Sequence, residues 1–181
     1  MAGDAVYTIG HSTRTLEELV GILLEAGVRE LVDVRTVPRS RRHPQFERDA
    51  LAAALPEHGL SYRHEQALGG FRRPRPGSPN GGWNNEAFQG YADHLGDPDF
   101  AAALHRLQAG ALRRSTTVMC AEAQWWRCHR RLIADALTVR DWRVLHLGLG
   151  SEPVEHELTP FAVRGPGHAL TYPPPQGELW S

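Results

Sequence analysis

Lysine is missing from this 181-residue chain, so arginine supplies all 20 of its basic side chains. A genome rich in G and C produces the same bias. The chemistry differs all the same: arginine's planar fork grips phosphate or carboxylate through two parallel hydrogen bonds, where lysine offers a point charge. Cysteine is scarce too. The two copies, Cys120 and Cys128, permit at most one disulfide, and in a reducing compartment such a pair more often reacts, ligates or packs inertly. No apolar run approaches the ~18 residues that cross a bilayer. Met1-Ala2-Gly3-Asp4 has neither the basic nor the apolar region of a secretory signal, so a cytoplasmic chain with no membrane partner is expected. Net charge is only −1, which excludes a global field drawing the chain onto nucleic acid. Neither G-x-G-x-x-G nor a P-loop occurs, so no dinucleotide or nucleoside-triphosphate site is supported.

What is present reads as α/β. Ala5-Val6-Tyr7-Thr8-Ile9 is a short strand ended by Gly10-His11-Ser12. Leu16, Leu19, Val20, Leu23 and Leu24 fall at i, i+3, i+4, i+7 and i+8, the stripe of an amphipathic helix. Thr15 and Glu18 have capping-box spacing, and Gly27 suits the C′ stop. A second strand, Glu30–Val34, makes a strand–helix–strand unit that requires a parallel pair and a right-handed crossover. Beyond it the pattern predicts a helix over 47–55, a strand at Leu60–Arg63, and helices over 85–95 and 98–109. A buried strand at Ser115–Val118, a helix from Trp125 to Leu137 and a last strand at Arg143–Leu147 complete it. Two segments fit neither period: residues 69–85, a Gly/Pro/Arg-rich loop of functional or disordered length, and an irregular tail over 148–181. The expectation is one three-layer α/β domain over 1–181 with a central, mainly parallel sheet.

In open α/β sheets ligands bind beyond the carboxyl ends of the strands, and reactive side chains of this chain collect there. Cys120 closes a strand and faces a helix N-terminus, where N–H groups stabilise a thiolate; Arg127 and Arg130 would lower its pKa further and Glu122 would raise it. The bland alternative is a small buried hydrophobe. Leu132, Ile133, Ala136 and Leu137 define the inward face of the following helix. That phase puts His129 near its centre and Cys128 on its flank, with a carboxylate, Glu122 or Asp33, as the expected partner of the buried ring. The C-x7-C-H spacing is not that of a structural zinc site, so no metal ligand is assigned and any cofactor stays unknown. Gly10-His11-Ser12 lies between strand and helix, where backbone N–H groups hold anions or where Ser12 merely caps. Asp33 and Arg35 end the next strand; Asp33 there is either a general base or the partner of an arginine.

Several of these blocks, taken in order, resemble a known family: Thr8-Ile9-Gly10-His11-Ser12, Leu31-Val32-Asp33-Val34-Arg35 with Pro38 and Ser40, Leu68-Gly69-Gly70, Cys120-Ala121-Glu122 with Cys128-His129-Arg130, and a later His156. They look like the signature blocks of the bacterial and archaeal domain of unknown function 488 family, over roughly residues 6 to 160. The resemblance implies a single α/β domain with converging polar blocks and no settled activity. A weaker likeness, of Leu31–Arg35 to the rhodanese strand, fits poorly, because Arg127 comes seven residues after Cys120 and no glycine eases the loop.

The expected site is one pocket. Cys120, Glu122, Asp33 and His11 are its candidate catalytic residues, Ser12, Arg35, Ser40 and Arg130 its candidate ligand-binding residues, and Cys128 and His129 support it. The arginines favour an anionic, nucleotide-like or phosphorylated small molecule, acted on by a transferase or hydrolase. A competing class is a nucleic-acid-binding or processing module. It would use the arginine clusters 35/39/41/42, 72/73/75 and 127/130/131, with Trp83, Trp125 or Trp126 as stacking surfaces. A Cys/His metal-binding protein is the third. Oligomeric state is left open.

Overall fold

The computed structural model describes residues 4–176, and the first strand, β1, runs Ala5–Gly10. It is followed by α1 (Leu16–Glu25), β2 (Glu30–Asp33), α2 (Arg48–Glu57), β3 (Ser61–His64), α3 (Glu86–His94), α4 (Pro98–Arg113), β4 (Thr116–Cys120), α5 (Arg130–Thr138) and β5 (Arg143–His146). Three two-residue strands close the chain: β6 (Val154–Glu155), β7 (Val163–Arg164) and β8 (Leu170–Thr171). The main sheet has the order β3-β2-β4-β1-β5-β6; β1 to β5 are parallel and β6 is antiparallel to β5. β7 and β8 form a separate antiparallel pair. None of the described helices is long and apolar enough to cross a membrane.

Helices cover both faces of the sheet. Side chains of alternate sense along β4 show the division: Val118 and Cys120 enter one core with Tyr91, Phe100, Leu104 and Ile133 of α3, α4 and α5, while Met119 enters the other with Leu19, Leu23, Leu51 and Leu55 of α1 and α2. All five residues of β4 are buried, as a central parallel strand covered on both faces requires. This is the three-layer α/β domain expected.

Local chemistry accounts for the helix ends. In α1 the capping box is complete, with the Thr15 hydroxyl accepting from Glu18 N and the Glu18 carboxylate accepting from Thr15 N; Gly27 takes a φ of 80° just past the helix. The expected helix from Trp125 to Leu137 is broken. Trp125–Arg127 make a single 3₁₀ turn, Cys128 is extended (φ −140°, ψ 169°), and α5 starts only at Arg130. The break lets Cys128 Sγ accept the Arg130 backbone N–H at 3.3 Å, a bond that a continuous helix would deny it. His129 therefore precedes the helix instead of centring its buried face, and Arg130 takes the buried position at 1% exposure.

Residues 69–85 carry no helix or strand, yet they are pinned. Asn80 donates to Asp93 and accepts from Tyr172 N, and Trp83 packs on Phe88, Phe161 and Tyr172. Beyond Gly148, β6 extends the main sheet, and Tyr172 is fully buried. At the carboxyl edge Gly10 has no room for a side chain: a Cβ there would run into the Glu122 carbonyl. Gly10→Ala is expected to cost about 1–3 kcal/mol or more, the range for overpacking a tight site; thermal unfolding of the variant beside the wild type would measure it, and an unchanged Tm would contradict it.

Candidate functional site

β2, β4 and β1 are neighbours in the sheet, so their carboxyl ends bring Asp33, Cys120 and Gly10-His11-Ser12 to one edge. Main-chain bonds continue the pairing past the strands: His11 N donates to Cys120 O (2.9 Å), Ser12 N to Ala121 O (3.0 Å) and Val34 N to Met119 O (3.0 Å). Pleat then sorts the side chains. Asp33 shares its face with Met119, and Val34 shares its face with Cys120. The residues that sequence reading assembled into one pocket thus stand on two faces of one sheet edge.

On the α1/α2 face, Asp33 is fully buried and held by Arg35 through two parallel bonds (Nε to Oδ1 2.9 Å, Nη2 to Oδ2 2.7 Å) and by the Tyr62 hydroxyl at 2.6 Å. Arg35 Nη2 also donates to Phe46 O at 2.7 Å. His11 stacks on Phe46 with ring centroids 4.3 Å apart. Its Nδ1 lies 2.9 Å from Ser12 O and so must donate, which leaves Nε2 as an acceptor 3.4 Å from Arg35 Nη1. Burial, reinforced by the Arg35 charge, pulls the His11 pKa down to about 4. Asp33 and Arg35 are mutually engaged, so an arginine partner is present for Asp33. Ser12, Ser40, Arg41, Arg42 and His43 line an open cleft of about 510 Å³ beside His11.

The thiols occupy the opposite face. Cys120 Sγ and Cys128 Sγ are 3.0 Å apart, both free, and Arg130 Nε points between them at 3.0 and 3.3 Å. Burial alone would push Cys128 up, but the Cys120 thiol, the Arg130 guanidinium and the Arg130 backbone N–H together hold it well below the usual thiol range. Cys120 is pushed up by burial and by the thiolate beside it. The thiol held down is thus Cys128, the more exposed of the two, whereas sequence position had favoured Cys120. His129 donates its Nε2–H to Val34 O at 2.7 Å, so its partner is a carbonyl and not the expected carboxylate; Asp33 lies across the sheet and Glu122 is exposed. A cavity of about 530 Å³ opens over this face, bordered by Cys120, Cys128, His129, Arg35, Arg39, Arg127 and Glu122, with Phe71 at its mouth. Among the described residues no three His, Cys, Asp or Glu side chains are arranged to hold a metal.

Arg130 ties the site to a buried relay in which Thr8 and His156 belong to the blocks quoted above, while Asp135 and His146 had not been singled out. Its Nη1 donates to Thr8 Oγ1 (3.1 Å) and its Nη2 to the carbonyls of Glu122 (2.6 Å) and Ala123 (3.2 Å). Thr8 Oγ1 lies 2.6 Å from His146 Nδ1, His146 Nε2 is 3.0 Å from His156 Nδ1, and His156 Nε2 is 2.7 Å from Asp135 Oδ1. Only one assignment satisfies every group: Thr8 accepts from Arg130 and donates to His146, which donates to His156, which donates to the carboxylate. Tyr172 OH and Thr159 N complete the Asp135 shell. Trp125 stacks flat on His146 at 4.3 Å. Burial, with the His156 and Arg130 charges, depresses His146 to about 2. Thr8 and His146 are a register pair between β1 and β5, so a histidine closing a strand was the available signal.

The model described as domain of unknown function DUF488 matches residues 15–137. The chain belongs to that family. In this DUF488 protein the match spans both thiols, Arg130 and Asp135, while Thr8, His146 and His156 lie outside it. No curated protein and no solved structure matches the chain.

Buried neutral histidines give a defined pH response. Folded-state pKa values of His11 and His146 lie below the unfolded value of about 6.5. The unfolded chain thus binds more protons between those limits, and stability present above pH ~6.5 is lost as pH falls. At pH ~5 each ring that stays neutral in the folded state costs roughly 2 kcal/mol. Urea unfolding at pH 7 and 5 should show that fall, and His11→Gln should reduce it; equal stability at both pH values would contradict it.

Proposed function

We propose that this DUF488 protein is a thiol-dependent enzyme in which Cys128 attacks an anionic small molecule held in the arginine-bordered cavity. The observation that carries the reading is the shared cation: one buried guanidinium lies within 3.3 Å of both sulfurs, beside an open cavity. A charge-assisted hydrogen bond favours the thiolate, and the thiolate is the nucleophilic form. Arg39 and Arg127 are exposed at the rim, where Glu122 is the one carboxylate among the residues lining the cavity, which suits a ligand bearing negative charge. Roles follow from position. Cys128 is the nucleophile, Cys120 donates to it, Arg130 fixes both, and Glu122 is the solvent-facing carboxylate available to move a proton. Asp33 braces the opposite face through Arg35, which also borders the cavity, and His11, Ser12 and Ser40 belong to the second cleft.

The nucleic-acid alternative keeps exposed Arg39, Arg41, Arg42 and Arg73, and Trp126 at 40% exposure, but loses much of its expected surface. Trp83 is buried under Arg131, whose Cζ sits 5.0 Å over the ring; Arg75 pairs with Asp97, and Arg130 is internal.

Two alkylating reagents that differ in charge test the proposal. At about pH 6, well under the ordinary thiol pKa of ~8.5, iodoacetate should label Cys128 and spare Cys120, and should do so faster than neutral iodoacetamide. Replacing Arg39 and Arg127 together by Ala should slow iodoacetate roughly three- to tenfold and leave iodoacetamide little changed, as loss of two partly screened charges predicts. Equal wild-type rates would remove the anionic ligand; labelling of Cys128 only after denaturation would remove the nucleophile.

A further inference from the structure

A simple nucleophilic attack needs one sulfur, yet a second lies beside it at the same cavity. Cys128 is half-buried and borders the cavity, Cys120 is 3% exposed, and their sulfurs are 3.0 Å apart. We propose that Cys120 and Cys128 form a dithiol/disulfide couple that is oxidised by a small, carboxylate-bearing disulfide entering the arginine-bordered cavity. The proposal rests on the Cys128 reading above and adds the substrate class and the role of the partner sulfur.

The chemistry balances in two displacements. The Cys128 thiolate attacks one sulfur of the substrate disulfide; a bond forms between Cys128 Sγ and that sulfur, the substrate S–S bond breaks, and the first thiolate departs with the Cys120 proton. Cys120 Sγ then attacks Cys128 Sγ, the mixed disulfide breaks, and the second thiolate leaves. Two electrons have passed from the protein sulfurs to the substrate, which leaves as two thiols, one of them still ionised at the moment of release.

Arg130 explains why the steps occur in that order. While Cys128 is a thiolate, its charge holds the proton on Cys120, 3.0 Å away. Once Cys128 is capped by substrate it carries no charge. The same guanidinium, whose Nε is 3.0 Å from Cys120 Sγ, then has only Cys120 to stabilise. The first reaction thereby activates the second nucleophile. His129 and the Arg130 backbone N–H also face Cys128, but neither lies between the sulfurs. The support given to the Cys128 thiolate favours the reduced state, so the disulfide form should be readily reduced again by thiols.

The experiment uses the whole chain, fully reduced, with glutathione disulfide as the carboxylate-bearing probe and cystamine as its cationic counterpart. With glutathione disulfide the wild type should release two equivalents of glutathione per chain and lose two hydrogens in mass, with Cys120 and Cys128 joined in one peptide pair. Cys120→Ser should release one equivalent and retain glutathione on Cys128; Cys128→Ser should release none. Cystamine should react roughly tenfold more slowly, the ratio set by about 1.4 kcal/mol of charge discrimination. Should either serine variant fail to fold by circular dichroism, Cys120→Ala and the wild-type stoichiometry still decide. A stable wild-type mixed disulfide with Cys120 free would overturn the couple while leaving the Cys128 nucleophile intact. No reaction with glutathione disulfide in a protein that iodoacetate labels would overturn the substrate class. Faster reaction with cystamine would overturn the charge preference. Failure of iodoacetate as well would instead bring down the thiol-enzyme reading beneath it.

Discussion

A guanidinium can be taken out of water only when acceptors meet its five N–H groups, because an unpaired buried charge costs several kcal/mol. Arg130 engages four of its five N–H groups by drawing in separate parts of the chain: Thr8 from β1, Cys120 from the end of β4, the carbonyls of Glu122 and Ala123, and Cys128 in the turn before α5. These contacts set the path of residues 120–130 and bring the two sulfurs together. The turn cannot relax into helix without losing them. The relay from Thr8 to Asp135 extends the same constraint to β5, β6 and the far end of α5, and a buried carboxylate at its far end answers the buried cation.

What was legible in the sequence was local. Thr15, Glu18 and Gly27 announce the ends of α1 because capping geometry is written into neighbouring residues. Strand–helix–strand spacing announces the parallel sheet, and through it the edge where Cys120, Asp33 and His11 meet. The break before α5 was not legible. Leu132, Ile133, Ala136 and Leu137 have the right period, but nothing in that period says where the helix begins; a sulfur–guanidinium contact decides it. Asp135 and His146 were missed for the same reason, and Thr8 and His156, named only within the family blocks, were given no role. Each is an ordinary residue until register and packing place it beside the next.

Pleat explains the other departure. Asp33 and Val34 are adjacent, yet they face opposite cores, and the same holds for Met119 and Cys120. Reading all polar strand ends as one pocket ignores that alternation. Once it is applied, Asp33, Arg35, Tyr62 and His11 become a brace that fixes Phe46 and the chain around it, and the thiols stand apart at a cavity of their own.

Residues 122 and 123 serve Arg130 with their carbonyls, while the Glu122 side chain points to solvent at the cavity rim. A main-chain acceptor is the same whichever side chain it carries. The side chains at 122 and 123 can therefore be exchanged without removing an acceptor of Arg130. The buried cluster and the rim over it are separable: a substitution at the rim alters the charge and shape of the cavity mouth and leaves the Arg130–sulfur contacts in place.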